Sequence, residues 1–463
     1  MHRRRRKDVR VMIGIESLAF YTPEKFLDLR TLAAVRNVPA NKYLYGIGQE
    51  RMAVLPPDED IVTMGAAAAR HAVKGIDTAT IDTLMFATES GIDQSKAAAI
   101  YVHQLLGLPS NCRSFEIKQA CCGSTAALQM ALALVAQNPR KRVLIVASDE
   151  ARYGLNTPGE PTQGAGAIAM VISATPRLIV FDPESGSYTE DVMDFWRPNY
   201  LDEALVDGKF SIQVYMKALE ESWSEYRRES GRGYNDCDYF CFHLPFTKMA
   251  GKANRVLARL GGYSGADEES TMARHIDSLH YNRLTGNSYT ASLYVGLASL
   301  LENSARNLTG RRIGLFSYGS GCMASFFSGV VCGEYQRYLQ GERHHAMLEQ
   351  RQELTYEQYK RYYGQRLPTD GTDHQTEQIS SSPFRLAGIR NHKRIYESNP
   401  SAVEQVPIAS RPEVADRKSR RLPLLYGFTT SSFRPQASAK GARKVLSAGR
   451  GTGTGPGDPV GRE

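Results

Sequence analysis

The chain reads as an α/β protein built by duplication, with two pseudo-symmetric halves that repeat one β-α-β plan. Two observations predict this. Buried strand-like runs end on polar, chemistry-bearing residues, and each half carries one nearly uncharged helix of small residues. In the first half a strand ends at Glu89, a helix starts at Cys121 and a strand runs to Asp149. In the second a strand ends at His243, a helix starts at Asn287 and a strand runs to Ser320. Even the helix cores, Ser124-Thr125-Ala126-Ala127-Leu128 and Tyr289-Thr290-Ala291-Ser292-Leu293, fall into register. The halves span residues 12–175 and 176–400. If they pack around a pseudo-twofold, the starts of the two helices meet and Cys121, Asn287, His243 and Glu89 converge.

Composition bounds the function. With 463 residues, 42% hydrophobic and 23% charged, the chain is of ordinary soluble character and long enough for two core-forming units. No apolar run approaches the ~20 residues of a membrane span. The net charge of +8 lies in the termini: residues 1–11 carry +5 and residues 401–463 carry +6, which leaves 12–400 at −3. That distribution argues against a nucleic-acid-binding face. Seven cysteines without a CxxC pair suggest neither a disulfide framework nor a zinc site, and point to a reducing cytoplasm.

The Arg-rich leader 1–11 has no apolar core and is not a secretory signal; Met12 is read as an alternative start. A strand pattern opens at Ile13. Residues 63–73 read as a helix in which His71 is packed or at the surface. The strand from Thr83 stops on Glu89, at the sheet end where open α/β folds meet ligands. The plainer reading of Glu89 is a cap for the helix expected over Ser95–Leu106, which Gly107 ends. Gly164 and Gly166 look like turn and close-approach glycines ahead of a strand, because no helix follows to make a phosphate loop. His243 ends another strand and is followed by Pro245. Residues 401–463 are rich in Ser, Gly, Pro, Arg and Lys and are expected to be disordered, apart from a small apolar island at Leu422–Phe428.

The chemistry centres on Phe115–Val135, a short strand ending in Cys121-Cys122-Gly123 before an apolar helix. Free N–H groups and the positive dipole end of that helix favour a thiolate at Cys121 and can hold an oxyanion on its acyl group. The bland alternative is a pair of small core cysteines. Cys122 points about 100° round the helix from Cys121 and does not share its role. A thiol, a histidine and an asparagine suit acyl transfer through a thioester, with Asn287 bonding a carbonyl and the turn at Ser320 offering N–H groups to an oxyanion. Glu89 adds a base that can enolise a carbon next to a thioester, provided burial raises its pKa.

Six strings carry a specific resemblance: Phe115–Cys121; Ala87–Lys96; Arg152–Asn156 with Gly159–Ala167; Met193–Tyr200; Phe242–Met249; and Phe316–Gly321. In this order they resemble bacterial hydroxymethylglutaryl-CoA synthase of the mevalonate pathway, from about Ile13 to Glu397. The resemblance implies a thiolase-type αβαβα layered fold, a homodimer and no metal or redox cofactor, with coenzyme A thioesters as substrates only. It implies condensation of acetyl-CoA with acetoacetyl-CoA and water. Cys121 would be the acetylated nucleophile, Glu89 the general acid/base and His243 the group that positions and polarises acetoacetyl-CoA. Thr162, Ser211, Asn287 and Ser320 match positions that hold the acyl portion, Lys248 and Lys252 fall where coenzyme A is met, and Asp149 and Asp194 match supporting positions. Cys122, where relatives usually carry a non-thiol residue, and Cys322 depart from the pattern.

The nearest rivals are a hydroxymethylglutaryl synthase acting on carrier-protein substrates and a ketoacyl synthase of the Cys-His-Asn type. Glu89 argues against the second, and the strings around Trp196 and Lys248 favour the coenzyme A enzyme. A non-catalytic thiolase-fold module is disfavoured because every candidate reactive residue is present. A nucleic-acid binder would need a basic folded surface.

Overall fold

A computed structural model describes residues 12–263 and 268–399. The leader 1–11 and the tail 401–463 lie outside the described residues, with the expectations attached to them.

Nine strands form one sheet: β1 Gly14–Tyr21, β2 Ile81–Ala87, β3 Arg113–Ile117, β4 Arg142–Ala151, β5 Gly164–Ser173, β6 Ile179–Thr189, β7 Tyr239–Phe242, β8 Arg312–Gly319 and β9 Met323–Val331. Their order is β7-β8-β9-β6-β1-β5-β4-β2-β3. The first half contributes β1-β5-β4-β2-β3 and the second β6-β9-β8-β7, and the two meet where Gly14 and Ile15 pair with Val180 and Ile179. Outward from this seam the pairings repeat: two antiparallel steps, then a parallel one (β4 with β2, β8 with β7). The first half adds one more parallel strand at its edge, β3.

Six helices complete the layers: α1 Ile61–Ala72, α2 Ala98–Leu105, α3 Gly123–Gln137, α4 Gly208–Ser230, α5 Lys248–Leu260 and α6 Ser292–Asn303. Helices α3 and α6 share one core with inward residues of both half-sheets, including Met85, Ile145, Ile168, Leu315 and Phe327. The opposite face of the first half-sheet packs on α1 and α2 through Phe86, Leu144 and Val146. That of the second packs on α4 and α5 through Phe240, Phe242 and Phe316. The result is the expected αβαβα order with α3 and α6 in the middle. Strands such as β4 are buried on both faces, which explains their unbroken apolar runs.

Two helix starts differ from expectation. Asp93 accepts from the Ser95 and Lys96 N–H groups in a separate turn, and α2 begins only at Ala98, whose N–H is taken by Glu116. Glu89 does not cap this helix. Asn287 precedes α6 by five residues, because Tyr289 takes a left-handed φ of 42° and opens a 3-10 turn before Ser292. The segment Ala120–Gln137 is, among the described residues, the one helix long and apolar enough to cross a membrane by composition, and half of it is buried inside this fold.

Candidate active site

Cys121 sits between β3 and α3, where Ala120 adopts a left-handed φ of 41° and turns the chain out of its strand direction. Cys122 then caps α3. The Cys121 thiol meets Glu89 Oε1 at 2.8 Å, and Glu89 lies two residues beyond β2. The Cys122 thiol turns away to Ser317 Oγ at 3.4 Å and is fully buried, so it is the packed member of the pair.

The expected thiolate is not what this environment favours. Burial, and after it the adjacent Glu89 carboxylate, push the Cys121 pKa well up. Burial followed by the Asp149 charge raises Glu89 to about 8. The resting pair is therefore a thiol against a carboxyl group of near-neutral pKa. Each group controls the other's proton.

Asp149 holds this corner together. It is fully buried on β4, and its Oδ1 accepts from Thr88 Oγ1 at 2.7 Å, Glu89 N at 2.9 Å, Ser90 N at 3.0 Å and Ser90 Oγ at 2.8 Å. Its Oδ2 accepts from the Thr290 N–H at 3.1 Å and from the Thr290 hydroxyl. One carboxylate thus fixes the Glu89 backbone and ties it to the second half. Arg197 adds a bond from its guanidinium to the Glu89 carbonyl oxygen.

The second half meets the same corner. Ser124 Oγ donates to Thr290 O at 2.7 Å and Thr125 Oγ1 bonds Tyr294 OH at 2.8 Å, so the starts of α3 and α6 touch as the aligned sequences predict. The end of β8 passes so close to Cys122 that a Cβ on Gly319 would fall 2.4 Å from Gln119 O and 2.7 Å from Cys122 N. Only glycine allows that approach. Gly164 likewise abuts Thr285 O, where an added Cβ would stand at 2.3 Å, so the close-approach reading holds for it.

His243 follows β7 directly and is buried; its ring Nδ1 lies 2.8 Å from Ser292 Oγ. Its N–H donates to Phe316 O at 2.8 Å and its carbonyl accepts from Tyr215 OH at 2.9 Å, so strand and loop are both pinned. Burial drives its pKa down to about 3, and the ring is neutral at physiological pH.

Asn287 N–H donates to Thr162 O at 3.2 Å, which joins these two candidates through their backbones. Asn287 Oδ1 accepts from Tyr289 N at 2.8 Å, leaving the amide NH2 as a donor, with the Tyr153 hydroxyl beside it. Thr162 Oγ1 is committed to Gly159 O at 2.7 Å. Asp194, fully buried, accepts from Ser211 Oγ at 3.1 Å, Tyr318 OH at 2.6 Å and Gly321 N at 3.0 Å. It binds the Ser320 turn to the start of α4. The Gly321 and Cys322 N–H groups are spent on Asp194 and on Glu190 O, so of the turn's donors only the Ser320 N–H keeps the role expected of it open. Lys248 and Lys252 lie on α5; Lys252 Nζ stands 5.6 Å from the Phe246 ring centre.

Sequence reasoning missed the wall around the sulfur. Tyr153, Tyr289 and Phe195 pack edge to face, with centroids 5.7–6.4 Å apart, and cluster with Cys121. Tyr153 and Phe195 stand inside quoted strings and could have been read there. Thr290 and Ser292 stand inside the aligned helix string, which marked the meeting of the helix starts but not their bonds to Asp149 and His243.

A duplicated αβαβα fold with a thiol–carboxyl pair on one half and a buried neutral imidazole on the other defines the class: a thiolase-type condensing enzyme that works on acyl thioesters. Comparison narrows it. The family description "Hydroxymethylglutaryl-coenzyme A synthase N terminal" matches residues 9–176, and its C-terminal counterpart matches 179–261 and 262–384. The chain belongs to the hydroxymethylglutaryl-coenzyme A synthase family. It is 43% identical to the hydroxymethylglutaryl-CoA synthase of Enterococcus faecalis over 386 residues, covering 83% of this chain and 100% of that one. It is 34% identical to a polyketide 3-hydroxy-3-methylglutaryl-ACP synthase of Bacillus subtilis, over 76% of this chain and 87% of the relative. A crystal structure of an HMG-CoA synthase complexed with CoA superposes with a TM-score of 0.80 at 38% identity, covering 84% of this chain and 100% of that one.

Proposed function

We propose that this chain condenses acetyl-CoA with acetoacetyl-CoA and water, giving 3-hydroxy-3-methylglutaryl-CoA and free CoA. The 2.8 Å contact between Cys121 Sγ and Glu89 Oε1 carries the reading, because it gives one carboxylate access to the nucleophile's proton and to any acyl group on that sulfur. Glu89 takes the thiol proton as sulfur attacks acetyl-CoA, and the departing CoA sulfur receives a proton in exchange. The same carboxylate then removes a proton from the acetyl methyl group. The enolate attacks the ketone of acetoacetyl-CoA, which His243 polarises as a neutral donor, and the new alkoxide takes the proton back from Glu89. Water releases the product from Cys121. Asn287, Thr162, Ser211 and Ser320 line the acyl groups, the Thr162 and Ser211 protons being given to Gly159 O and Asp194; Lys248 and Lys252 meet coenzyme A, and Asp149 and Asp194 fix the loops that carry them.

Two surfaces support a homodimer. Strand β3 is a sheet edge with Phe115 37% exposed, and Met130 of the neighbouring α3 is 45% exposed. An open strand beside an apolar helix face fits a second copy of the chain. All seven cysteines are free, which fits a reducing cytoplasm.

Mass spectrometry after incubation with acetyl-CoA tests the chemistry. An acetyl group on Cys121, absent in Cys121→Ser and discharged only when acetoacetyl-CoA is added, is the expected outcome. Acetylation from an acetyl-carrier protein but not from acetyl-CoA would move the chain to the polyketide branch of the family, and no acetylation at all would sink the proposal.

A further inference from the structure

We infer that Ser292 is a positioning residue for the condensation step: its hydroxyl donates to His243 Nδ1 and so fixes the proton of the neutral ring on Nε2, the nitrogen left to meet the acetoacetyl carbonyl. The inference rests on the role given above to His243 and adds the group that sets its tautomer. Two hydrogen bonds carry it. Ser292 Oγ is 2.8 Å from His243 Nδ1, and the same oxygen accepts from the Leu244 N–H at 3.3 Å. A serine hydroxyl has one proton to give. With its lone pair facing Leu244, that proton points to Nδ1. The reverse arrangement, Nδ1–H donating to Ser292, would bury the serine proton without an acceptor, since its oxygen has no other partner among the described residues. Ser292 is fully buried, so water does not supply one. His243 Nε2 forms no hydrogen bond among the described residues and remains available to a ligand.

The position of Ser292 is itself constrained. It opens α6 two residues after Thr290, which Asp149 grips through backbone and hydroxyl. The carboxylate that fixes the Glu89 loop therefore also fixes the helix turn that orients His243. Acid/base and electrophile are set by one framework.

Nitrogen-15 NMR of the full chain labelled at histidine reads the tautomer directly. The expected wild-type pattern is a protonated Nε2 and an unprotonated Nδ1 for His243 between pH 6 and 8. In Ser292→Ala the two forms mix and KM for acetoacetyl-CoA rises about tenfold, as for the loss of one well-aligned hydrogen bond. The rate of Cys121 acetylation moves far less, and Ser292→Thr restores both spectrum and KM. A wild-type spectrum with the proton on Nδ1 overturns the inference with no variant needed. So does a Ser292→Ala protein that loses acetylation and condensation in equal measure, which is the mark of a merely structural serine. The reading of His243 fails separately: a His243→Ala enzyme with unchanged KM for acetoacetyl-CoA removes the ring from substrate binding, whatever the spectrum shows.

Discussion

The two halves share a plan but divide the labour. In the first half the extra strand β3 delivers the chain to the start of α3 with a thiol in hand, and the end of β2 supplies the carboxylate beside it. In the second half, among the described residues, the sheet stops at β7, whose end supplies an imidazole, and the matching helix α6 begins with a serine that serves that ring. Burial follows the same division. Every residue of α6 from Ser292 to Leu301 is buried, whereas α3 leaves Met130 at the surface. A duplicated frame thus places the thiol–carboxyl pair on one copy and the buried imidazole with its serine on the other.

Substitutions can break this division. Cys121→Ala should remove the acetyl-enzyme and lower turnover by a factor on the order of 10⁴ or more, read by mass spectrometry and a coupled CoA assay. Glu89→Ala should acetylate more slowly, because the thiol loses the base that takes its proton, and lose condensation about 10³-fold, the worth of a positioned acid/base. Full synthase turnover in that variant would contradict the base assignment. His243→Ala should cost about 10²-fold, expressed in kcat/KM for acetoacetyl-CoA while acetylation persists; equal damage to both steps would erase the contrast between the halves. Asp149→Asn should cost about tenfold in both steps at once, because either the Glu89 loop or the Thr290 turn then meets an amide NH2 in place of an acceptor and the tie between the two is broken.

A comparable effect is one of pH. As a base Glu89 must be ionised, and its pKa is raised to about 8, so exchange of the acetyl methyl protons with deuterated solvent should climb with pH and flatten above that value. The expected rise between pH 7 and pH 9 is about tenfold. A flat profile by NMR would place the base elsewhere.

Much of this arrangement was legible before any coordinates. Strands buried on both faces leave unbroken apolar runs, so a charged or imidazole residue at their ends stands out, as Glu89, Asp149 and His243 do. The meeting of the helix starts followed from the register of Ser124–Leu128 with Tyr289–Leu293. What stayed hidden depends on three-dimensional neighbours. Nothing near Asp149 in sequence announces that Thr88, Ser90 and Thr290 will converge on it, since the last lies 141 residues away. The protonation of Cys121 could not be read from a helix start alone, because burial and the neighbouring Glu89 both raise its pKa. Ser292 looked like any polar residue among small ones.

The grip of Asp149 on both copies has a consequence for how such a protein changes over time. Once a single carboxylate serves donors from each repeat, neither repeat can be replaced on its own schedule. A chimera that takes residues 179–384 from a distant relative inherits a working centre only if that segment brings a hydroxyl and an N–H to the place of Thr290. The repeats began as copies and are now bound to vary as partners.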